Sequence, residues 1–117
     1  MRSRGRRMPD ERGSVAAELA IAVPAVLLVM MLGVGALAAA ARQVALQDAA
    51  ADAARLLGRG ESTGRAFGAV SAAVDGAGAA SEQRGDLICV TATADLSVGR
   101  VISVPLRASS CALSGGL

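Results

Sequence analysis

The sequence contains no histidine, no tryptophan and no tyrosine, and Phe67 is its only aromatic residue. Histidine is the commonest general base in enzymes, and aromatic side chains line most sites that bind small molecules. Two cysteines without histidine also make a poor metal site. We therefore expect a protein that is not an enzyme, that carries no cofactor or metal, and that has no small-molecule substrate.

Hydrophobic residues make up 53% of the 117 residues, but alanine is prominent among them and the chain also has 14 glycines. A globular core takes most of its buried area from leucine, isoleucine, valine and aromatic residues. The chain is long enough for one domain at most. A membrane-spanning segment explains this hydrophobicity more directly than a large soluble core does.

The net charge is only +2, but positive charge is concentrated near the start of the sequence, at Arg2, Arg4, Arg6 and Arg7. Arginines on a flexible arm can neutralise the phosphates of a nucleic acid, but no aromatic platform or folded basic face accompanies these. A basic run just before an apolar stretch is typical of the cytoplasmic flank of a membrane span. We favour the membrane interpretation and expect no nucleic-acid partner.

Residues 19–41 contain no charged side chain and are bounded by Glu18 and Arg42. As a helix, this run of about 23 residues rises roughly 35 Å, which is enough to cross a bilayer. The arginine-rich start should stay in the cytoplasm and the remainder should lie outside, in a single-pass topology. Pro24 removes one backbone hydrogen bond inside the span and favours a kink there.

Glu18 is unusual, because a carboxylate at the start of a spanning helix costs about 2.5 kcal/mol or more if it lies deep in lipid. It therefore needs a partner or a function. Gly13 and Ser14 precede it by five and four residues. Cleavage after Gly13 would make Ser14 a new N-terminus, and its free amine would lie close to one helical turn from Glu18.

This pattern resembles that of type IV prepilins, which have a short basic leader, a glycine before the scissile bond, a glutamate at the fifth mature position and an apolar helix. Within that family it is most similar to TadE, a minor pilin of tight-adherence (Flp) systems, through Gly13, Ser14, Glu18, Leu19, Ala20 and Pro24. The likeness extends from Arg12 to about Leu57. Two departures from classical type IV pilins, Ser14 in place of a methylated phenylalanine and the lack of a large globular head, are usual for the TadE branch.

The resemblance implies that a prepilin peptidase cuts between Gly13 and Ser14, and that Glu18 pairs with the N-terminal amine of a neighbouring subunit during assembly. It also implies further partners: the tight-adherence membrane platform, its cytoplasmic secretion ATPase and the Flp major pilin. The protein would then be held in the cytoplasmic membrane or reach the cell surface within a pilus.

Two other interpretations would also explain the apolar run. A plain single-pass anchor, with an outer domain that binds or regulates something unrelated to pili, predicts the same topology, and only Gly13 and Glu18 argue against it. A secretory signal peptide would need a cleavage site of small residues, and Ala36-Leu37-Ala38 offers one. The run is too long for a signal peptide, however, and it begins with a glutamate.

Beyond Arg42 the helix is predicted to continue as an amphipathic segment, with an apolar stripe of Leu46, Ala49, Ala50, Ala53 and Leu57. Gly58 and Gly60 should end it. Ser62 or Thr63 is then expected to cap a short helix with a stripe formed by Ala66, Phe67, Val70, Ala73 and Val74. Residues 76–85, which are small and polar, are predicted to form a flexible connector.

The C-terminal part is predicted to form a β-hairpin. Residues 87–94 alternate, with Cys89, Thr91 and Thr93 on one face. Residues 95–100 should form the turn, and a second strand should follow from residue 101 to residue 106, limited by Pro105 to an edge or a bulge.

Cys89 and Cys111 both fall outside the membrane in this topology, which favours a disulfide over free buried cysteines. Closing a loop of about 20 residues is worth about 3 kcal/mol in the chain-entropy model.

The sequence thus predicts an α+β fold in which a long N-terminal transmembrane helix continues as an amphipathic helix and is followed by a short helix and a small C-terminal β-hairpin. The predicted segments are a basic leader (1–13), the transmembrane helix (14–41), the amphipathic extension (42–57), a Gly/Ala-rich connector with the short helix (58–85) and the hairpin region (86–117).

Overall fold

The computed structural model describes residues 9–99 and 101–115. Its elements in chain order are α1 (Pro9–Gly58), α2 (Thr63–Ala73), β1 (Gly78–Arg84), β2 (Leu87–Val98) and β3 (Ile102–Leu113). The predicted α+β class, with one long helix, one short helix and a C-terminal sheet, is confirmed. The chain divides into two compact units, residues 1–36 and residues 37–117.

The described part of the first unit is the N-terminal part of α1. Its side chains from Glu11 to Ala36 are all exposed. The most apolar window of the helix has a mean hydropathy of 2.5, and none of that window is buried inside the protein. A core helix of a soluble domain would be mostly buried. This helix is long enough and apolar enough to cross a membrane.

In the second unit, the three strands form an antiparallel meander in the order β1-β2-β3. The alternation predicted for β2 is confirmed, because Val90, Ala92 and Ala94 are buried while Thr93 on the opposite face is exposed. Neighbouring residues of a strand point to opposite sides of the sheet. The sheet therefore turns one apolar face towards the helices.

The core of this unit combines one face of α1, one face of α2 and the apolar face of the sheet. Among the described residues, its largest fully buried side chains are Leu46, Val70 and Val90. The remaining members are mostly alanines: Ala49, Ala50, Ala53, Ala54, Ala66, Ala92, Ala94 and Ala108, with Val74. Alanine buries little area, so this core gains less from the hydrophobic effect than one built of leucine and phenylalanine.

The C-terminal end of α1 and the N-terminal end of α2 lie close to the predicted positions. α1 ends at Gly58, and Gly60 adopts φ 87°, a left-handed conformation that suits glycine after a helix C-terminus. The Ser62 hydroxyl caps α2 by accepting a hydrogen bond from the backbone N–H of Arg65 at 3.2 Å. Ala66, Val70 and Val74 of the predicted stripe are buried and Phe67 is half-buried, but Ala73 is exposed.

The sheet is larger than the predicted hairpin. Residues 78–84, predicted to lie in a flexible connector, form β1 and pair with β2 from Gly78↔Thr93 to Arg84↔Leu87. β2 also continues past Ala94 to Val98, because residues 95–98 keep the alternation of polar and apolar residues. The connection between Val98 and Ile102 is correspondingly short, with Gly99 at φ 61°. Arg100 lies outside the described residues.

The two edges of the sheet have different surroundings. β3 is an edge strand, which is one of the two positions predicted from Pro105, and α1 lies along it. β1 is the other edge, and no further strand pairs with it in the part of the chain that the structure describes. Its Arg84 guanidinium donates to the Glu82 carboxylate at 2.7 Å, which lowers the pKa of Glu82 and raises that of Arg84.

Candidate processing and assembly site

Gly13, Ser14 and Glu18 lie on the exposed surface of α1, in the first unit. Apart from the adjoining residues and backbone of its own helix, no described atom lies within 4 Å of the position that a Cβ would take at Gly13. In a helix, residues four apart are neighbours on one face, so Ser14 and Glu18 lie one above the other. The peptide bond predicted to be cut and the Glu18 carboxylate therefore lie on the same exposed part of one helix. Residues 1–8 of the predicted leader, with their arginines, lie outside the described residues.

Pro24 lies within the same helix, six residues after Glu18. Proline has no backbone N–H, so the carbonyl of Ala20 loses its usual partner in the helix. Within a membrane such a carbonyl is tolerated where water or a neighbouring helix can satisfy it. This places a second polar feature near Glu18 at the start of the apolar run.

Arg42 marks the other end of the charge-free run and belongs to the second unit. Its Nη2 donates a hydrogen bond to the backbone carbonyl of Asp75 at 2.9 Å, just after the end of α2. Its Nε is buried and has no hydrogen-bond partner among the described residues. The guanidinium thus links α1 to the segment that follows α2 within the second unit. The sequence pattern indicated only that Arg42 ended the span.

The predicted pair Cys89 and Cys111 is joined by a disulfide, with Cα atoms 4.0 Å apart. The two residues are directly opposite each other on β2 and β3. Cys89 is buried and Cys111 is exposed. The bond therefore ties the edge strand to the central strand on the face of the sheet opposite the helices.

The predicted site residues therefore form two groups, each within one unit: Gly13, Ser14, Glu18 and Pro24 on the helix, and the two cysteines in the sheet. Among residues 9–99 and 101–115, no cluster of three or more His, Cys, Asp or Glu could hold a metal ion. Sequence reasoning missed the contacts made by Arg42, Gln43 and Gln47, because these side chains hydrogen bond to backbone carbonyls far along the chain. Their only sequence signal is that polar residues follow the apolar run directly.

Comparison of the chain with protein families, with curated proteins and with solved structures found no match.

Proposed function

We propose that this chain is a pilin-like membrane protein of the TadE type, cut after Gly13 by a prepilin peptidase and engaged in the assembly of tight-adherence pili. The observation that carries the proposal is Glu18, an exposed carboxylate one helical turn after Ser14 and directly before 23 residues without charge. The role is structural and needs no catalytic group in the chain.

Cleavage gives Glu18 a physical reason to lie at this position. The new amine at Ser14 is separated from Glu18 by a rise of about 6 Å along the helix. A carboxylate near a helix N-terminus is favoured by the helix dipole. An amine from a neighbouring subunit would compensate the carboxylate further, and removing one partner of such a buried pair costs about 3–5 kcal/mol.

The surroundings of Gly13 favour processing. A peptidase must reach the backbone on both sides of the scissile bond, and the described residues leave the helix surface at Gly13 open. With the basic leader in the cytoplasm, the cut lies on the cytoplasmic side and the second unit lies outside. The disulfide between Cys89 and Cys111 agrees with that orientation, since such bonds persist in oxidising compartments.

The partners follow from the resemblance. A prepilin peptidase would act first, the tight-adherence platform and its secretion ATPase would drive assembly, and the Flp major pilin would be the neighbouring subunit. The competing proposal is an unprocessed single-pass anchor with a small outer binding or regulatory domain. Only the long apolar helix supports this alternative, and both proposals require that helix.

Replacing Gly13 with leucine tests the proposal in cells that have an active prepilin peptidase. The wild-type chain should be recovered from the membrane starting at Ser14, while Gly13→Leu should keep residues 1–13, as measured by intact-mass spectrometry. Gly33→Leu is the matched control, because Gly33 also has open space around it in the same helix. Retention of residues 1–13 by the wild-type chain would refute processing and leave the plain anchor.

Replacing Glu18 with alanine separates cleavage from assembly. Glu18→Ala should still be cut, but its recovery in purified pilus or assembly complexes should fall more than tenfold, because every 1.4 kcal/mol of lost pairing is a factor of ten. Glu11→Ala is the control, since Glu11 lies in the leader and is removed with it. Equal incorporation of Glu18→Ala and wild type would refute the assembly role.

A further inference from the structure

The distal half of the β2–β3 hairpin has one apolar face and one polar face. Two cross-strand pairs, Leu96↔Val104 and Val98↔Ile102, form the apolar face. The polar face carries Asp95, Ser97 and Ser103. On the apolar face Val98 is 51% exposed, Ile102 58% and Val104 40%, and Val101 at the turn is 91% exposed.

Contacts within the second unit show where this hairpin end lies. Gln43 of α1 contacts Arg107 of β3, Gln47 contacts Ser109, and Gly58 contacts Gly115, so α1 and β3 run side by side in the same direction. Before Arg107, β3 extends back five more residues to Ile102, a length of about 17 Å. The hairpin turn therefore lies at the end of the second unit at which its part of α1 begins, beyond Arg42.

We propose that this hairpin end is a second membrane contact, with its valine and isoleucine side chains in the interfacial region of the outer leaflet. It rests on the proposed membrane-spanning role of α1. A lipid surface suits it because an exposed apolar cluster is unfavourable in water and lies on the side of the unit from which the span departs. Because β3 runs parallel to α1, the hairpin approaches the membrane with its turn first, and Asp95, Ser97 and Ser103 on the opposite face stay among water and headgroups.

The backbone limits the depth of insertion. Pairing between β2 and β3 satisfies the inward-facing N–H and C=O groups of the hairpin, but the outward-facing groups at its sides need water or headgroups. The side chains should therefore enter only about 5–10 Å, to the boundary between headgroups and acyl chains. This is a shallow contact, distinct from the span itself.

The absence of tryptophan from the chain allows a direct test. The full-length Val101→Trp variant is reconstituted in phosphatidylcholine vesicles, with or without bromine atoms near the top of the acyl chains, and only protein that floats with the vesicles is measured. We expect blue-shifted emission and roughly twofold or greater bromine quenching, as shallow burial requires. Leu113→Trp is the control, since Leu113 is 64% exposed at the other end of the same strand.

Charge variants locate the contact on one face. In the Val101→Trp background, Val98→Asp with Ile102→Asp should abolish most of the quenching, whereas Ser97→Asp with Ser103→Asp on the polar face should leave it unchanged. Equal quenching in both pairs of variants would contradict a face-specific lipid contact.

Two outcomes overturn the proposal without touching the function proposed for Gly13 and Glu18. If Val101→Trp floats with the vesicles but is quenched no more than Leu113→Trp, the hairpin does not contact lipid. If its emission is blue-shifted without bromine quenching and the shift disappears when protein is diluted in lipid, a second copy of the chain covers the hairpin instead. If the protein does not float at all, α1 is not anchored, and both proposals fail.

Discussion

The side-chain amide of Gln43 donates a hydrogen bond to the backbone carbonyl of Arg107, 2.8 Å away and 64 residues further along the chain. One helical turn later, Gln47 donates to the carbonyl of Ser109 at 2.9 Å. Both acceptors lie on the edge strand β3, two residues apart. Two glutamines thus satisfy backbone groups that an open sheet edge would leave for another strand to pair with.

Replacing Gln43 and Gln47 with alanine should loosen this edge. Each hydrogen bond contributes about 0.5–1.5 kcal/mol, so the double variant should lower the free energy of opening β3 by about 1–3 kcal/mol. Hydrogen–deuterium exchange of peptides from residues 102–113 measures this opening. Asp48→Ala, at the exposed position directly after Gln47 on the same helix, should leave the exchange rates unchanged. Exchange in the double variant as slow as in the wild-type chain would contradict the role of the glutamines.

A side chain at position 58 is predicted to destabilise the second unit. A Cβ there would lie 2.7 Å from the backbone oxygen of Leu113, and the Gly58 carbonyl already accepts a hydrogen bond from Gly115 at 2.9 Å. Gly58→Ala should therefore destabilise the second unit by about 1–3 kcal/mol, the usual cost of overpacking. Thermal unfolding in detergent, followed by circular dichroism, measures the change.

Gly68 gives the matched control in α2. A Cβ at Gly68 meets nothing within 4 Å among the described residues, and alanine is favoured over glycine inside a helix by about 0.5–1 kcal/mol. Gly68→Ala should therefore raise the midpoint temperature of thermal unfolding, whereas Gly58→Ala should lower it. The same direction of change in both variants would show that the close approach at Gly58 is not limiting.

The helices were largely predictable from sequence, because their buried faces repeat at helical spacing. Four members of the predicted stripe, Leu46, Ala49, Ala50 and Ala53, are buried, and the fifth, Leu57, is half-buried. β1 was not predictable in this way. Its sequence, Gly-Ala-Ala-Ser-Glu-Gln-Arg, has low β-propensity, and the strand exists because β2 offers it an edge to pair with.

The candidate site residues could likewise be predicted from the sequence, whereas the side-chain contacts of the second unit could not. Gly13 and Glu18 were found from a short local pattern beside an apolar run, which needs no knowledge of the rest of the fold. The contacts of Gln43 and Gln47 depend on which backbone carbonyls of β3 point away from β2, more than 60 residues further along the chain. Such contacts are set by tertiary packing and leave no periodic signal in the sequence.

The disulfide is expected to carry a large share of the stability of the second unit, because its core is mostly alanine. Cys89 and Cys111 are separated by 22 residues, and replacing both with alanine should cost about 2–4 kcal/mol. Thermal unfolding with and without a thiol reductant measures this. Reductant should lower the midpoint of the wild-type chain and have no effect on the double variant; an unchanged wild-type midpoint would contradict the prediction.

The ion pair on β1 predicts a titration. The hydrogen bond from Arg84, with its charge, lowers the pKa of the Glu82 carboxyl. A lowered pKa means that the pair stabilises the fold above the ordinary pKa of a glutamate, and that this contribution disappears as the pH falls through the folded-state pKa. Arg84→Met should raise the pKa of Glu82 in a carboxyl NMR titration. Since both side chains are exposed, an identical titration curve in the variant would mean that solvent screens the pair completely.

Because β2 and β3 are joined by a disulfide, the redox state of its two cysteines depends on the compartment in which the second unit lies. Thiols in a reducing cytosol stay free, so a chain inserted in the wrong direction would keep Cys89 and Cys111 open to alkylation, and its edge strand would lack a covalent tie to the sheet. In a chain inserted with this unit outside, the two cysteines would form the disulfide and would not react with an alkylating reagent. In the proposed topology, with the second unit outside, insertion and complete folding are therefore linked through the disulfide between Cys89 and Cys111.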